Sequence, residues 1–178
     1  MPTPLLRRLM QNNMSGQPLS VLFVCLGNIC RSPTAHGVFA HMVDRAGLAD
    51  VIRVESAGTG GWHIGSAPDP RTCAAAALRG YDLTAQRARQ VSVDDFDTFD
   101  LVLAMDRKNI AELRQLRARH GNRGALPELF LEAFGERPGP VEVPDPYYGG
   151  DDGFDHVLDL VEVASRNLLS HLQKTRLS

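Results

Sequence analysis

The hydrophobic positions along the chain follow two alternating spacings, which predict the order of strands and helices. A continuous apolar run over residues 20–24 is typical of a strand buried on both faces of a parallel sheet. Residues 51–56 and the apolar segment 100–105 predict two further strands. A less distinct run at residues 129–131 predicts a fourth strand. Because helical segments separate these runs, the sequence predicts a single-domain α/β fold, a doubly wound sheet of four parallel strands with helices on both faces.

Apolar residues at helical spacing fill the intervals between the strands. The first helix follows residue 34 and ends near Gly47, a residue type common just beyond a helix C-terminus. We expect further helices over residues 68–79 and around residues 110–116. A long apolar stripe predicts a last helix that begins at Asp151 or Asp152.

Composition narrows the class of protein. The chain has 178 residues, of which 43% are hydrophobic and 22% charged, as in ordinary globular domains. Residues 1–19 show no periodicity and predict a disordered N-terminal tail, which leaves residues 20–176 as the folded domain.

Charge and hydropathy exclude several partners. A net charge of -2 gives no general attraction to nucleic acid or to an anionic membrane. The longest apolar run, residues 21–26, is far shorter than the ~18–20 residues that a membrane helix needs. With three cysteines and no apolar signal-peptide core at the N-terminus, we expect a cytoplasmic protein without a disulfide framework.

The loop after the first strand carries the candidate chemistry, because ligands of doubly wound sheets bind where strands end and helices begin. Glycine and asparagine in this loop accept positive φ, so backbone N–H groups can turn inward around an anion. Pro33 suits the first turn of a helix, whose N-terminus also favours negative charge. We therefore predict a site for phosphate or another oxyanion, formed by Cys25, Leu26, Gly27, Asn28, Ile29, Cys30, Arg31 and Ser32.

Cys25 is the candidate nucleophile of this loop. Inward N–H groups, a helix N-terminus and the Arg31 guanidinium would all stabilise a thiolate at this position. The planar fork of Arg31 can also bind two phosphate oxygens at once. Ser32 can donate a hydrogen bond to the sulfur, and the side chain of Asn28 can hold the loop in place.

The other two cysteines have less specific surroundings. Cys30 has no second cysteine pair at ligand spacing, so we expect no zinc, and no other metal or cofactor is predicted. Cys30 is either a packing residue or a resolving thiol that forms a reversible disulfide with oxidised Cys25. Cys73 repeats the Cys-x5-Arg spacing with Arg79, but it stands among good helix formers and is expected to be a buried helical thiol.

Further motifs follow the CLGNICRSP loop in a fixed order: ESAGT at 55–59, APDPR at 67–71, ARQ at 88–90, FD at 99–100, MD at 105–106 and DPYYG at 145–149. This combination, spread over roughly residues 18–172, resembles the low-molecular-weight protein tyrosine phosphatase family. The resemblance implies a metal-free hydrolase of phosphotyrosine monoesters on a four-stranded parallel sheet. It also implies tyrosine-phosphorylated proteins as partners, among them a bacterial tyrosine kinase if the source is bacterial.

The resemblance assigns roles to residues outside the loop. Asp145, flanked by prolines, would protonate the departing phenol and then activate water. Three aromatic side chains would form the walls of a deep pocket for a phenyl ring: Trp62, Tyr147 and Tyr148.

Three more residues are implied as supports for the loop. Asp106 resembles the family aspartate that supports Arg31, and it can equally cap the following helix. Ser56 is a weaker candidate, and outside these three Arg71 is a similarly weak candidate for a supporting role. Gln86 stands where the family often has a histidine that holds the loop asparagine; glutamine can still hydrogen-bond but does not titrate near neutral pH.

Three alternatives remain at this point. An arsenate reductase of the same fold needs additional redox cysteines, and residues 103–113 contain none. The related arginine phosphatases carry threonine where Ile29 stands and lack the paired tyrosines after the acid. A module that binds phosphorylated ligands without turnover would be expected to have lost Cys25, Arg31 or Asp145, which are all present.

Overall fold

One parallel sheet organises the computed structural model, which describes residues 16–150 and 152–176. Its strands are β1 (Leu19–Cys25), β2 (Ile52–Gly58), β3 (Leu101–Ala104) and β4 (Pro127–Leu129). They lie in the order β2-β1-β3-β4, and every neighbouring pair is parallel. All seven residues of β1 are buried, as the continuous apolar run predicted.

Six helices lie within the described ranges, and they cover both faces of the sheet. Helices α1, α2, α5 and α6 share one hydrophobic core with the sheet, while α3 and α4 contribute to the core on the opposite face. The predicted doubly wound α/β architecture is therefore confirmed. Their bounds are α1 (Arg31–Arg45), α2 (Pro70–Leu78), α3 (Asp95–Thr98), α4 (Arg107–Arg119), α5 (Phe130–Phe134) and α6 (Asp152–Arg176).

The central strand anchors both cores because its side chains alternate between the two faces. Phe23 meets Phe39 and Phe130 edge to face, with ring centroids 5.9 Å and 5.0 Å apart. Leu22 and Val24 point to the opposite core. The last residue of this fully packed strand is Cys25, so the candidate nucleophile stands on a rigid element.

The fourth strand differs from the prediction. The structure places β4 at Pro127–Leu129, and the predicted segment 129–131 instead leads into helix α5. Phe130, Leu131 and Phe134 are buried on the core side of this single helical turn, a spacing that a helix satisfies and a strand does not. A proline is tolerated as the first residue of β4, which pairs with β3 alone.

Smaller differences concern the ends of elements. Helix α2 begins after Asp69, whose carboxylate caps it by accepting a hydrogen bond from the backbone of Arg71 at 2.8 Å. The predicted tail lies outside the described residues as far as residue 15, and Leu19 already belongs to β1. Asp151, one of the two predicted helix starts, also lies outside them.

Candidate active site

Cys25 lies at the carboxyl end of β1, at the start of the loop formed by residues 25–32, hereafter the phosphate loop. Its sulfur is 3.3 Å from the backbone nitrogen of Asn28, which donates a hydrogen bond to it. Ser32 Oγ lies 3.0 Å from the same sulfur. Helix α1 begins at Arg31, so the positive end of its dipole also faces the loop. The sulfur therefore lies beside a backbone N–H donor, a serine hydroxyl and the N-terminus of a helix.

The phosphate loop depends on the backbone of Asn28, which has a φ of 57°. Asparagine tolerates this left-handed conformation better than other residues that carry a side chain. Its amide nitrogen donates to Ser32 Oγ at 2.8 Å and to Ser56 Oγ at 3.0 Å. Its amide oxygen accepts from the backbone N–H of Arg89 at 3.0 Å. Three bonds from one buried amide thus hold the turn in its inward-facing shape.

Ser56 connects this network to a second set of side chains. His36 Nδ1 lies 3.3 Å from Ser56 Oγ, and Gln86 Oε1 lies 3.5 Å from the same hydroxyl. Gln86 Nε2 donates to the carbonyl of Pro33 at 3.0 Å, so the glutamine also contacts the start of α1. Burial lowers the pKa of His36 to about 4, which keeps its imidazole neutral at physiological pH.

Gly58 allows strand β2 to approach the phosphate loop closely. A Cβ atom at this position would lie 2.7 Å from the carbonyl oxygen of Leu26 and 3.2 Å from the backbone nitrogen of Asn28. Both distances are shorter than ordinary carbon contacts. A side chain here would therefore push the loop away from β2.

Arg31 is almost completely buried beneath the site, with 3% of its surface exposed. It donates to Asp106 Oδ2 at 2.6 Å and to the carbonyl of Val143 at 3.1 Å, and its Nη2 lies 3.7 Å from Asp145 Oδ2. Burial alone would lower the pKa of the guanidinium, but Cys25, Asp106 and Asp145 together raise it above its usual value. The cation is therefore permanent and fixed in direction.

Asp106 both contacts Arg31 and caps helix α4, the two roles that the sequence left open. It follows β3 and uses one oxygen for Arg31. The other oxygen accepts from the backbone N–H of Asn109 at 2.7 Å and caps helix α4. One carboxylate thus fixes the guanidinium and the helix that follows.

Asp145 belongs to a second loop, residues 143–149, which we call the acid loop. Its first residue, Val143, is buried and is held by Arg31 and by a backbone bond to the carbonyl of Met105 at 2.7 Å. Asp145 Oδ1 accepts from the backbone N–H of Tyr147 at 3.0 Å, which orients the carboxyl group. The structure therefore brings Cys25, Arg31 and Asp145, widely separated in sequence, to one place.

The three aromatic residues predicted as pocket walls are more exposed than typical walls. Trp62 is 72% exposed, Tyr148 90% and Tyr147 37%. The two tyrosine rings meet edge to face at 4.9 Å. Tyr147 and Tyr148 belong to the acid loop beside Asp145, where their apolar surface is available to a ligand, and the role of Trp62 stays a prediction.

Comparison with known proteins agrees with this geometry. The family model described as low molecular weight phosphotyrosine protein phosphatase matches residues 20–177. The chain belongs to this family. It is 45% identical over 156 residues to the low molecular weight protein-tyrosine-phosphatase of Streptomyces coelicolor, which covers 86% of this chain and 93% of that protein.

Solved structures resemble the fold along nearly all of their length. The crystal structure of YfkJ from Bacillus subtilis matches with a TM-score of 0.82 and 40% identity, over 89% of this chain and 97% of that one. The structure of DARP, a drosophila arginine phosphatase, matches with a TM-score of 0.78 and 31% identity, over 85% and 96% of the two chains.

The remaining cysteines of this phosphatase-family chain differ from Cys25. Burial raises the pKa of Cys30 to about 12, so that it stays a thiol. Cys73 lies on helix α2, as predicted, although it is only partly buried. All three cysteines are free. Among the described residues, no cluster of three or more histidine, cysteine or acidic residues could hold a metal ion.

Several residues that contact the site of this low molecular weight phosphatase carry little recognisable signal in the sequence. His36 was one of them, because a histidine on a helix gives no sign of its contact with β2. Arg89 contributes only a backbone N–H, which side-chain patterns do not report. Val143 could have been found as the apolar residue directly ahead of Pro144 in the segment that leads to Asp145.

Proposed function

We propose that this chain is a protein-tyrosine phosphatase that hydrolyses phosphotyrosine monoesters through a phosphocysteine intermediate. One observation supports this assignment above all: a buried sulfur accepts a backbone N–H bond at the start of a helix, and a fixed guanidinium connects the same loop to Asp145. Family membership of the chain points to the same activity.

In the first step, the Cys25 thiolate attacks phosphorus while the bond between phosphorus and the phenolic oxygen breaks. The electron pair of that bond goes to the oxygen, which takes a proton from Asp145. Protonation matters because an unassisted phenolate, the anion of a phenol with a pKa of about 10, is a poor leaving group. The Arg31 guanidinium and the loop N–H groups stabilise the charge on the equatorial oxygens.

In the second step, water attacks the phosphorus of the phosphocysteine. The Asp145 carboxylate accepts a proton from this water, and the sulfur–phosphorus bond breaks with its electron pair returning to Cys25. Inorganic phosphate leaves, and both residues regain their starting protonation states. The same carboxyl group thus serves as acid and then as base.

The burial of the sulfur favours aryl over alkyl phosphates. Cys25 is only 3% exposed, whereas Tyr147 and Tyr148 lie at the rim. A phosphotyrosine side chain is long enough to pass the rim and place its phosphate in the loop. Phosphoserine and phosphothreonine are shorter, so their phosphates stop above the sulfur.

The test is phosphate release from phosphotyrosine, phosphoserine and phosphoarginine by the parent chain and two variants. We expect phosphotyrosine to be preferred, Cys25→Ser to be inactive and Asp145→Ala to lose roughly 100- to 1,000-fold in kcat/KM. Undiminished turnover by Cys25→Ser would refute the mechanism. Faster release from phosphoarginine would assign the activity of the drosophila relative instead, and reduction of arsenate with a thioredoxin-type reductant would indicate an arsenate reductase.

Two further proposals concern the protein substrates of this chain and its cellular compartment. We propose tyrosine-phosphorylated proteins as substrates, including a bacterial tyrosine kinase, and a cytoplasmic location in which Cys25 stays reduced. Free cysteines and the bacterial relative support this view. None of the helices within residues 16–150 and 152–176 is long and apolar enough to cross a bilayer. Capture by the Cys25→Ser variant, followed by mass spectrometry, would identify the phosphorylated partner.

A further inference from the structure

Arg71 occupies an unusual position between two loops of the site. It stands in the first turn of helix α2, and its guanidinium lies over the rings of Tyr147 and Phe154, with its central carbon 5.3 Å and 4.9 Å from the ring centroids. Its Nη1 donates to the carbonyl oxygen of Tyr147 at 3.2 Å. Arg71 therefore connects helix α2 to the acid loop and to the start of α6.

Asp69 fixes the direction of this guanidinium. Its two oxygens accept from Arg71 Nε at 3.1 Å and from Nη2 at 2.9 Å, a two-point contact that restricts rotation of the fork. The backbone N–H of Asp69 donates to the carbonyl of Ile29 at 2.8 Å. The same short segment is thus bonded to the phosphate loop on one side and, through Arg71, to the acid loop on the other.

The residue that Arg71 contacts on the acid loop, Tyr147, is only two positions from Asp145. The carbonyl oxygen of Tyr147 accepts from Arg71, while the N–H of Tyr147 donates to Asp145 Oδ1 at 3.0 Å. A shift of Tyr147 would therefore move the bond that orients Asp145. Since the acid must reach the leaving oxygen within hydrogen-bond distance, a displacement of about 1 Å is enough to lower its efficiency strongly.

We propose that Arg71 is a positioning residue for the general acid, holding Tyr147 so that the Asp145 carboxyl group faces the leaving oxygen above Cys25. The proposal rests on the proposed function, in which Asp145 donates the proton. Arg71 acts through the acid loop and does not touch the reacting atoms.

This role has a kinetic signature that a general structural role lacks. Loss of acid catalysis slows substrates whose phenol is weakly acidic, whereas a strongly acidic phenol such as dinitrophenol leaves without a proton. The parameter to compare is kcat/KM, which covers all steps up to departure of the phenol. General damage to the fold would lower kcat/KM for both substrates alike.

The experiment measures kcat/KM for phenyl phosphate and for dinitrophenyl phosphate. Arg71→Ala should lose about tenfold with phenyl phosphate and less than about twofold with dinitrophenyl phosphate. Arg71→Lys keeps the charge without the fork and should fall between the parent and Arg71→Ala. Arg79→Ala is the matched control, because Arg79 ends the same helix and binds Asp159 and Glu162 of α6 without touching the acid loop. It should match the parent with both substrates.

A double variant separates this inference from the proposed function. Like Arg71→Ala, Asp145→Ala should lose more kcat/KM with phenyl phosphate than with dinitrophenyl phosphate, and the difference between the two losses should be larger. Adding Arg71→Ala to Asp145→Ala should cause little further loss with phenyl phosphate. Equal losses of Arg71→Ala on both substrates, or additive losses in the double variant, would overturn the role of Arg71 while leaving the mechanism intact. An Asp145→Ala variant without leaving-group selectivity would instead contradict the proposed function.

Discussion

Acidification should destabilise the folded chain through His36, which is held neutral next to Ser56 and Gln86. Both neighbouring side chains are uncharged; burial lowers the pKa of the imidazole by more than a hydrogen bond with Gln86 raises it. Burial lowers the pKa of His36 from 6.5 to about 4 in the folded state, whereas the unfolded chain has the ordinary value. Below pH 6.5 the unfolded chain therefore binds a proton that the folded chain does not.

The size of the effect follows from these two values. At pH 7 the imidazole is mostly neutral in both states, so it contributes almost nothing to the pH dependence. At pH 5 it is protonated in the unfolded chain and still mostly neutral in the folded chain, which lowers the free energy of unfolding by about 2 kcal/mol. Toward pH 4 and below, the loss approaches about 3 kcal/mol.

The assay is urea denaturation of the parent and of His36→Gln at pH 7 and pH 5. Acidic residues also titrate in this range, but they are common to both proteins and cancel in the difference. The parent should lose about 2 kcal/mol more than the variant between the two pH values. His156→Gln, at an exposed position of α6, is the matched control and should follow the parent. Equal losses in the parent and His36→Gln would refute a His36 that is held neutral in the folded chain.

Three other substitutions or modifications test the remaining parts of the site. Asp106→Asn keeps a capping oxygen but removes the carboxylate oxygen 2.6 Å from Arg31 and leaves that buried guanidinium without its charged partner. We expect kcat/KM to fall about tenfold and the free energy of unfolding to fall by about 1–3 kcal/mol. Unchanged kinetics would contradict the role of this ion pair. Gly58→Ala places a Cβ 2.7 Å from a carbonyl oxygen of the phosphate loop, so the free energy of unfolding, measured by urea denaturation, should fall by about 1–3 kcal/mol. Activity should fall as well, and a substitution that changes neither quantity would contradict the close approach. Iodoacetamide at pH 7 should modify Cys25 much faster than Cys30, because the pKa of Cys30 is raised to about 12. Mass spectrometry of the labelled peptides measures both rates, and comparable labelling of the two cysteines would contradict the expected difference in reactivity.

The order of elements and the phosphate loop could be predicted because each has a strong local signal. Strand β1 is a continuous apolar run, and the loop after it combines glycine, asparagine and a helix start within eight residues. Strand β4 could not be placed, since three residues are too few to show a period and the apolar residues that follow belong to α5. The four-residue helix α3 was missed for the same reason.

Contacts between distant segments were the other part that the sequence did not reveal. Asp69 and Arg71 lie in a motif that the resemblance marked, but their bonds to Ile29 and Tyr147 depend on how α2 sits between the two loops. His36 likewise reaches Ser56 only because α1 packs against β2. Such contacts are set by tertiary packing, on which the spacing of residues along the chain carries no information.

Rapid quenching of the Asp145→Ala variant with dinitrophenyl phosphate, followed by peptide mass spectrometry, examines the covalent intermediate itself. This substrate needs no acid to lose its phenol, while the missing carboxylate slows the attack of water, so the intermediate should accumulate. We predict one phosphoryl group on the peptide that contains Cys25, attached to its sulfur. Rapid turnover with phosphate on another residue, or with no phosphorylated peptide at any quench time, would contradict nucleophilic catalysis by Cys25.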